Sequence, residues 1–182
     1  MDGSFVVLTG ASGGGKTTIA SVIKAKHPEF TIFHFDSIGI PSAEVMEQFG
    51  PGHQPGGAWQ RAMTLRWFER IAPIVKGGGR VLFEGQMRIA FVQQGLAKCN
   101  ISDARVILVE CDDETRIDRI TNDRQQPELA NESMMGWSRF LHEEALQGGY
   151  EILDTGAITL TESVRRIVRY LDDSIHGSCD QA

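Results

Sequence analysis

The run Gly10-Ala11-Ser12-Gly13-Gly14-Gly15-Lys16-Thr17 constrains this chain more than any other feature. It fills every fixed position of the pattern G-x-x-x-x-G-K-[ST]. In that pattern glycines let backbone N–H groups converge on an anion, the lysine reaches β- and γ-phosphates, and the hydroxyl can ligate Mg²⁺. The apolar, β-branched run 5–9 precedes it, and 18–23, apolar at helical spacing, follows it. Strand, glycine loop and helix in this order form a triphosphate site, because the helix dipole and its unpaired N–H groups add to the pull on phosphate. Gly10, Ser12, Gly13, Gly14, Gly15, Lys16, Thr17 and Thr18 are therefore the expected ATP-binding residues here.

Apolar strand-like runs recur at 5–9, 31–35, 80–83, 104–109 and 150–153. Between them helices are expected at 16–26, 59–75, 86–98, 113–122 and 132–147, with a last one at 161–172. Strands alternating with helices imply an α/β fold: a five-stranded parallel sheet, doubly wound and covered on both faces, in three layers. Val164, Ile167, Val168, Leu171 and Ile175 form one stripe, as a helix packed on a sheet requires. Trp59, Met63, Trp67, Phe68, Ile71 and Ile74 form a broader one and are assigned to the core. A single domain over 1–175 follows, with a glycine- and proline-rich flap at 50–57, a lid at 123–130 and a disordered tail at 176–182.

At 182 residues the chain can bury most of its apolar surface without disulfides or metal staples. The first residues lack the basic start and apolar core of a secretory signal, and no apolar run nears the ~20 residues of a membrane span. Cys99, Cys111 and Cys179 are odd in number and form no C-x-x-C pair, which fits a reducing cytoplasm rather than a disulfide framework or zinc site. Twenty-four acidic against 18 basic residues give a net charge of −6, so no nucleic-acid partner is expected. Anion affinity is instead concentrated in the glycine loop and a few arginines.

In a doubly wound sheet, ligands sit outside the carboxyl ends of the strands. After the second strand, Asp36 is placed to accept the proton of a substrate hydroxyl attacking the γ-phosphate; its alternative is a helix-capping or turn aspartate. Ser37 is the weaker candidate, a cap. After the third strand, Glu84 is placed to hold Mg²⁺ or its waters, Gly85 to let substrate approach the backbone, and Arg88 to meet an anionic substrate group or form a surface ion pair. After the fourth, Arg119 and Arg124 are expected to neutralise phosphoryl charge, whereas Arg116 reads as part of a solvated helix laced with Asp–Arg pairs. After the fifth, the loop at Thr155 lies where backbone groups can touch an adenine edge, with Asp154 anchoring the turn as the alternative.

These residues together resemble the nucleoside-monophosphate-kinase-like branch of P-loop proteins over nearly the whole chain. Glu84-Gly85-x-x-Arg88 is similar to the Asp-Gly-x-Pro-Arg motif of adenylate kinases, with Glu for Asp and Met87 for Pro. Asp118-Arg119-Ile120 resembles the Asp-Arg-Ile that opens their lid, whose arginine stacks on adenine, and Arg124 falls near their lid arginine. The adenylate kinase acceptor motif Thr-Gly-Asp-x-x-Arg is missing, so AMP is not the expected acceptor. Phe35-Asp36-Ser37-Ile38, followed by Pro41 and a glycine-rich insertion, resembles chloramphenicol phosphotransferase, in which an Asp-Ser-Leu supplies the base. That family's paired aspartates are absent at the third strand, and its drug substrate does not carry over.

The sequence thus leads to a cytoplasmic phosphotransferase that uses ATP and Mg²⁺ to phosphorylate a small hydroxylated molecule. Lys16, Asp36 and Arg124 are the expected catalytic set. Arg119 and Thr155 join the nucleotide site, Asp36, Gly85 and Arg88 the acceptor site, and Thr17 and Glu84 the metal site. Rival readings are a regulatory ATPase that transfers phosphate only to water, a polynucleotide kinase-like enzyme, and a binding module whose catalysis has lapsed. Asn-Lys-x-Asp and Leu-Ser-Gly-Gly-Gln are both absent, which opposes GTPase and transporter-ATPase readings.

Overall fold

The computed structural model describes residues 3–50 and 56–173. Residues 51–55 of the expected flap, with His53, and the expected tail at 176–182, with Cys179, lie outside them. Strands β1 (Phe5–Thr9), β2 (Thr31–His34), β3 (Val81–Gly85), β4 (Arg105–Glu110) and β5 (Glu151–Asp154) form one sheet in the order β2-β3-β1-β4-β5. All four pairings are parallel. The central strand β1 is therefore the switch point, since its chain neighbour β2 lies two places away and β3 and β4 flank it. The loop leaving its carboxyl end opens into the crevice where such sheets bind ligands.

The period-2 alternation of strand side chains divides the core in two. Phe5, Val7, Val81, Phe83, Val106 and Leu108 face one layer, packed by α3 (Ala58–Lys76), α4 (Ile89–Cys99) and α6 (Glu132–Gly148). Val6, Leu8, Leu82, Ile107 and Val109 face the other, packed by α1 (Lys16–Lys26) and α7 (Leu160–Asp172). Continuing that alternation along β3 puts Glu84 on the same side as Leu82, toward the start of α1. His34 is its register partner on β2.

The expected elements are present, and their ends differ for local reasons. The fourth helix begins at Ile89 rather than residue 86: Gln86 and Met87 stay irregular, and Arg88 is an extended N-cap. The helix after β4 is α5 (Asp113–Asp118), which widens into a π turn at Arg119–Asp123 instead of running on regularly. Irregularity of this kind inside helices clusters at functional sites. The expected lid at 123–130 holds a 3₁₀ turn at Pro127–Leu129. A short helix α2 (Ala43–Glu47) and a 3₁₀ turn at Phe35–Ile38, unexpected from sequence, follow β2.

Helix α4 packs on α3 through Gly95, where an added Cβ would stand 2.5 Å from Phe68 Cγ and under 3 Å from two further ring carbons. Phe68 is fully buried and has nowhere to swing. Replacing glycine by alanine favours a helix by about 1 kcal/mol, but overpacking of this kind costs about 1–3 kcal/mol. Gly95→Ala is accordingly expected to destabilise the protein by up to about 2 kcal/mol, read as a lower urea midpoint at unchanged slope.

Candidate active site

The glycine loop folds because glycine alone meets its backbone demands. Gly13 and Gly15 have φ of 79° and 95°, and a Cβ on Gly10 would lie 2.2 Å from the carbonyl oxygen of Val109. Gly15 is the N-cap of α1 and offers no side chain, and among the described residues no side chain accepts from the first-turn N–H groups of that helix. Helices α5, α6 and α7 are each capped by a side-chain oxygen, from Asp112, Asn131 and Thr159. Helices α2 and α3 likewise lack a side-chain cap, but α1 starts at the carboxyl end of the central strand, where its N–H groups are able to meet an anion.

Turning N–H groups toward one side turns carbonyls toward the other, where each requires a donor. Four consecutive carbonyls find one. Lys16 Nζ donates to Ala11 O at 2.9 Å, Arg116 Nη1 to Ser12 O at 2.8 Å, Arg119 Nη1 to Gly13 O at 3.2 Å, and Thr155 Oγ1 to Gly14 O at 2.9 Å. Cys111 Sγ also approaches Gly13 O, at 3.6 Å; burial raises its thiol pKa, as befits a packing role. Arg116 overturns the expectation of a solvated arginine. It is fully buried, and its second guanidinium nitrogen donates to Cys111 O at 2.9 Å. Arg116 lies one helical turn before Ile120, which is itself fully buried, and that i, i+4 relation was the signal available in the sequence. Exposed Ile117 disguised it.

Arg119 and Thr155 form a clasp: Nη1 donates to Thr155 Oγ1 at 2.8 Å and Nη2 to Thr155 O at 3.0 Å. Beside them opens a cavity of about 410 Å³, lined by Gly13, Gly15, Thr18, Arg119, Arg124 and Thr155 among others. The structure thus brings together the expected nucleotide-site residues from three separate segments. Asp154 anchors its turn, accepting from the N–H groups of Gly156 and Ala157.

Glu84 is buried, 5% exposed, and receives the Thr17 hydroxyl at 3.3 and 3.4 Å to its two oxygens. His34 Nδ1 lies 2.7 Å from Glu84 Oε1, a partner that sequence reasoning missed although parallel pairing sets the two side by side. One hydroxyl and one carboxylate suit Mg²⁺, which keeps several waters and takes one or two carboxylates together with phosphate oxygens. No group of three or more His, Cys, Asp or Glu that could cage a metal occurs among the described residues. The donor set fits an ion that arrives with a nucleotide.

Asp36 sits in the turn after β2, where no side-chain cap hydrogen bond forms, while Ser37 Oγ donates to His34 O at 2.7 Å in the local role expected of it. Partial desolvation and then the neighbouring Glu84 raise the Asp36 pKa; Lys16, Arg124 and His34 pull it back down. Asp36 also lines a second cavity, of about 360 Å³, with Phe35, Trp59, Gln60, Gln86 and Trp137. Gln86 Nε2 reaches Ser12 Oγ at 3.2 Å, so this cavity abuts the glycine loop from the side opposite Thr155. Helical periodicity assigns Trp59 to the core alone, and Trp137 carries no sequence signal of its own.

On the acceptor side the reading of Gly85 needs correction, and Arg88 takes the second of its two readings, an ion pair. Gly85 is buried, and its missing Cβ makes room for Phe35, whose Cβ would be 2.3 Å away, rather than for a substrate. Arg88 does not line the second cavity. Its guanidinium pairs with Glu144 at 3.3 Å and lies 4.7 Å from the ring of Phe140 and 5.3 Å from that of Phe91. Glu144 is held in turn by the N–H groups of Ile89 and Ala90, at 2.8 and 3.3 Å, and so serves the start of α4 as well.

A family model described as an AAA domain matches residues 6–136, and the chain belongs to that family. No curated protein sequence matches it. Among solved structures, an unliganded sugar kinase from Janibacter sp. HTCC2649 is similar with a TM-score of 0.69 at 18% identity, over 93% of this chain and 95% of that one. Shikimate kinase from Acinetobacter baumannii in complex with shikimate gives 0.61 at 16% identity, over 94% of each chain. A gluconokinase from Sinorhizobium meliloti 1021 gives 0.61 at 16%, over 92% and 91%. At such identities the likeness shows the fold, that of P-loop NTPases. No helix among the described residues is long and apolar enough to cross a membrane.

Burial lowers the Lys16 pKa from 10.5 to about 8, with Glu84 opposing the shift. A bound polyphosphate favours the ammonium, so nucleotide affinity should be full below pH 8 and fall as pH rises through it, by up to about tenfold per unit. Titrating nucleotide affinity between roughly pH 7 and 10 should show this slope in the wild type, and weaker, flat binding in Lys16→Met. A flat wild-type profile would contradict it.

Proposed function

From membership in the AAA domain family and the geometry around the glycine loop, we propose that the protein is a phosphotransferase that moves the γ-phosphate of ATP to a hydroxyl of a small molecule. The observation that carries this reading is the double position of Asp36. Its carboxyl feels Lys16, Arg124 and Glu84 on the phosphate side and lines a separate cavity, fit for a second substrate, on the other. A pure ATPase would have no use for that second cavity.

In this reading the triphosphate lies over the N–H groups of the loop and the start of α1, with the base in the cavity lined by Arg119, Arg124 and Thr155. Thr17 and Glu84 would hold Mg²⁺ together with the nucleotide, where it would supply neutralisation of phosphate charge. Lys16 exchanges its bond to Ala11 O for phosphate oxygens. The acceptor oxygen forms its bond to the γ-phosphorus as the bond to the β–γ bridging oxygen breaks. Asp36 takes the hydroxyl proton and ADP departs. A carboxylate of raised pKa is better suited to that proton than an ordinary aspartate, since proton affinity and donor acidity are brought closer. Lys16 and Arg124 offset charge on the transferring group. The resemblance of Asp36-Ser37-Ile38 to the base-bearing segment of chloramphenicol phosphotransferase supports the same role.

With γ-labelled ATP, Mg²⁺ and a broad panel of sugars, polyols, nucleosides and aromatic alcohols, label should appear on a small product. Asp36→Asn should reduce transfer by about 10²–10⁴-fold while ATP affinity stays nearly unchanged. Label released only as inorganic phosphate across the panel would favour the regulatory ATPase. A large loss of ATP affinity in Asp36→Asn would assign that carboxylate to the nucleotide site instead.

A further inference from the structure

Resting on the phosphotransferase reading, we propose that the acceptor is an uncharged alcohol carrying a flat ring, and that the second cavity rejects anionic hydroxy compounds. The cavity's apolar wall is Phe35, Ile40, Trp59, Leu129, Met134 and Trp137. Three of these six are aromatic and come from three different parts of the chain, the turn after β2, α3 and α6. Trp59 stands edge-on to Phe35, with ring centroids 5.9 Å apart and planes at 87°. Trp59 and Trp137 are 9% and 6% exposed, so their positions are fixed by packing before any ligand arrives. Rigid aromatic walls on several sides of a cavity of about 360 Å³ select a flat apolar ring, which stacks or packs edge-on at little entropic cost.

The polar part of the lining is neutral apart from one carboxylate. Asn131 and Ser133 contribute an amide and a hydroxyl at the start of α6, and Gln60 and Gln86 contribute amides that are already oriented. Gln60 Nε2 donates to Gln86 O at 2.8 Å, and its Oε1 accepts from the N–H of Arg88 at 3.0 Å. Among the described lining residues, Asp36 is the one charged side chain. A carboxylate or phosphate on the acceptor would lose its hydration against that negative charge and gain no cation from the described lining residues.

The arginine placed to supply one is withdrawn. Arg88 is held by Glu144 and by the rings of Phe91 and Phe140, and Glu144 is fixed by two backbone N–H groups of α4. Lys16 and Arg124 do face Asp36, yet neither lines this cavity; both stand on the phosphate side. The site therefore separates charge by substrate, with cations around the triphosphate and amides with aromatic rings around the acceptor.

Matched pairs test this directly. The intact protein, saturated with a non-hydrolysable ATP analogue and Mg²⁺, is titrated calorimetrically with 1-phenyl-1,2-ethanediol and mandelate, then with methyl shikimate and shikimate. The uncharged member of each pair should bind at least about tenfold more tightly, and the phenyl diol should bind about tenfold more tightly than sorbitol. Ser133→Arg, a change at an exposed position, should bring each pair to within about threefold by admitting the anion. Trp59→Leu should weaken the diol about tenfold while analogue affinity, which reports a folded protein, is retained. Equal or tighter binding of mandelate or shikimate overturns the proposal, as does sorbitol matching the diol or failure of every uncharged member to bind. Label transferred from γ-labelled ATP to mandelate or shikimate refutes the exclusion of anions and leaves the phosphotransferase reading standing. Diol binding with label released only to water does the opposite: it removes the phosphotransferase reading and leaves the ring-binding cavity in place.

Discussion

The whole structure turns on what happens behind the glycine loop rather than in front of it. A loop that aims its N–H groups at an anion must aim carbonyls into protein, and a buried carbonyl without a donor costs about 1–3 kcal/mol. Here Ala11, Ser12, Gly13 and Gly14 each receive a side-chain donor, from Lys16, Arg116, Arg119 and Thr155. Those donors come from α1, from the helical segment after β4 and from the turn after β5. The parallel order β3-β1-β4-β5 is what brings these segments around one loop. Fold and binding site are in this sense the same constraint, satisfied from opposite sides.

The bracing also distributes charge. Arg116 is consumed by backbone, fully buried, and contributes its field to Lys16 from beneath. Lys16 itself is desolvated, with Glu84 and Asp36 as the carboxylates that restrain its loss of a proton. Arg124 has no ion-pair partner among the described residues and stands in the wall of the larger cavity. Positive charge is therefore graded from structural to available across a single helical segment. The π turn at Arg119–Asp123 is the local device that separates the two ends, by letting Arg119 and Arg124 leave the segment at different levels.

Much of this was legible in the residues. The loop pattern located the glycine turn between β1 and α1, and the alternation of strands with helices set the layers, because both signals are local. Glu84 followed from its place at the end of an apolar strand, and period-2 alternation then explains why it meets Thr17. Legibility failed where a partner distant in sequence decides a side chain's role. Arg88 is claimed by Glu144, 56 residues later, and Gly85 by Phe35, 50 residues earlier, and neither partner announces itself. Trp59 follows the helical periodicity of core residues and, like Trp137, is indeed buried, yet the sliver each leaves uncovered forms a wall. A hydrophobic stripe cannot distinguish a packed face from the lining of a cavity. His34 was missed for a related reason: its meaning lies in its register with Glu84, which no single strand displays.

The Arg88–Glu144 pair joins two properties that proteins often keep apart. Glu144 neutralises the arginine and also completes the first turn of α4, so the same carboxylate governs what the neighbouring cavity can attract and how firmly that helix begins. Freeing the guanidinium by changing Glu144 would strip hydrogen bonds from two backbone N–H groups at once. Recruiting Arg88 itself to an anion is therefore uphill in stability, whereas a new cation at the exposed rim, at Ser133 for example, leaves the start of α4 intact. At this corner the fold itself decides where a change of charge preference can arise.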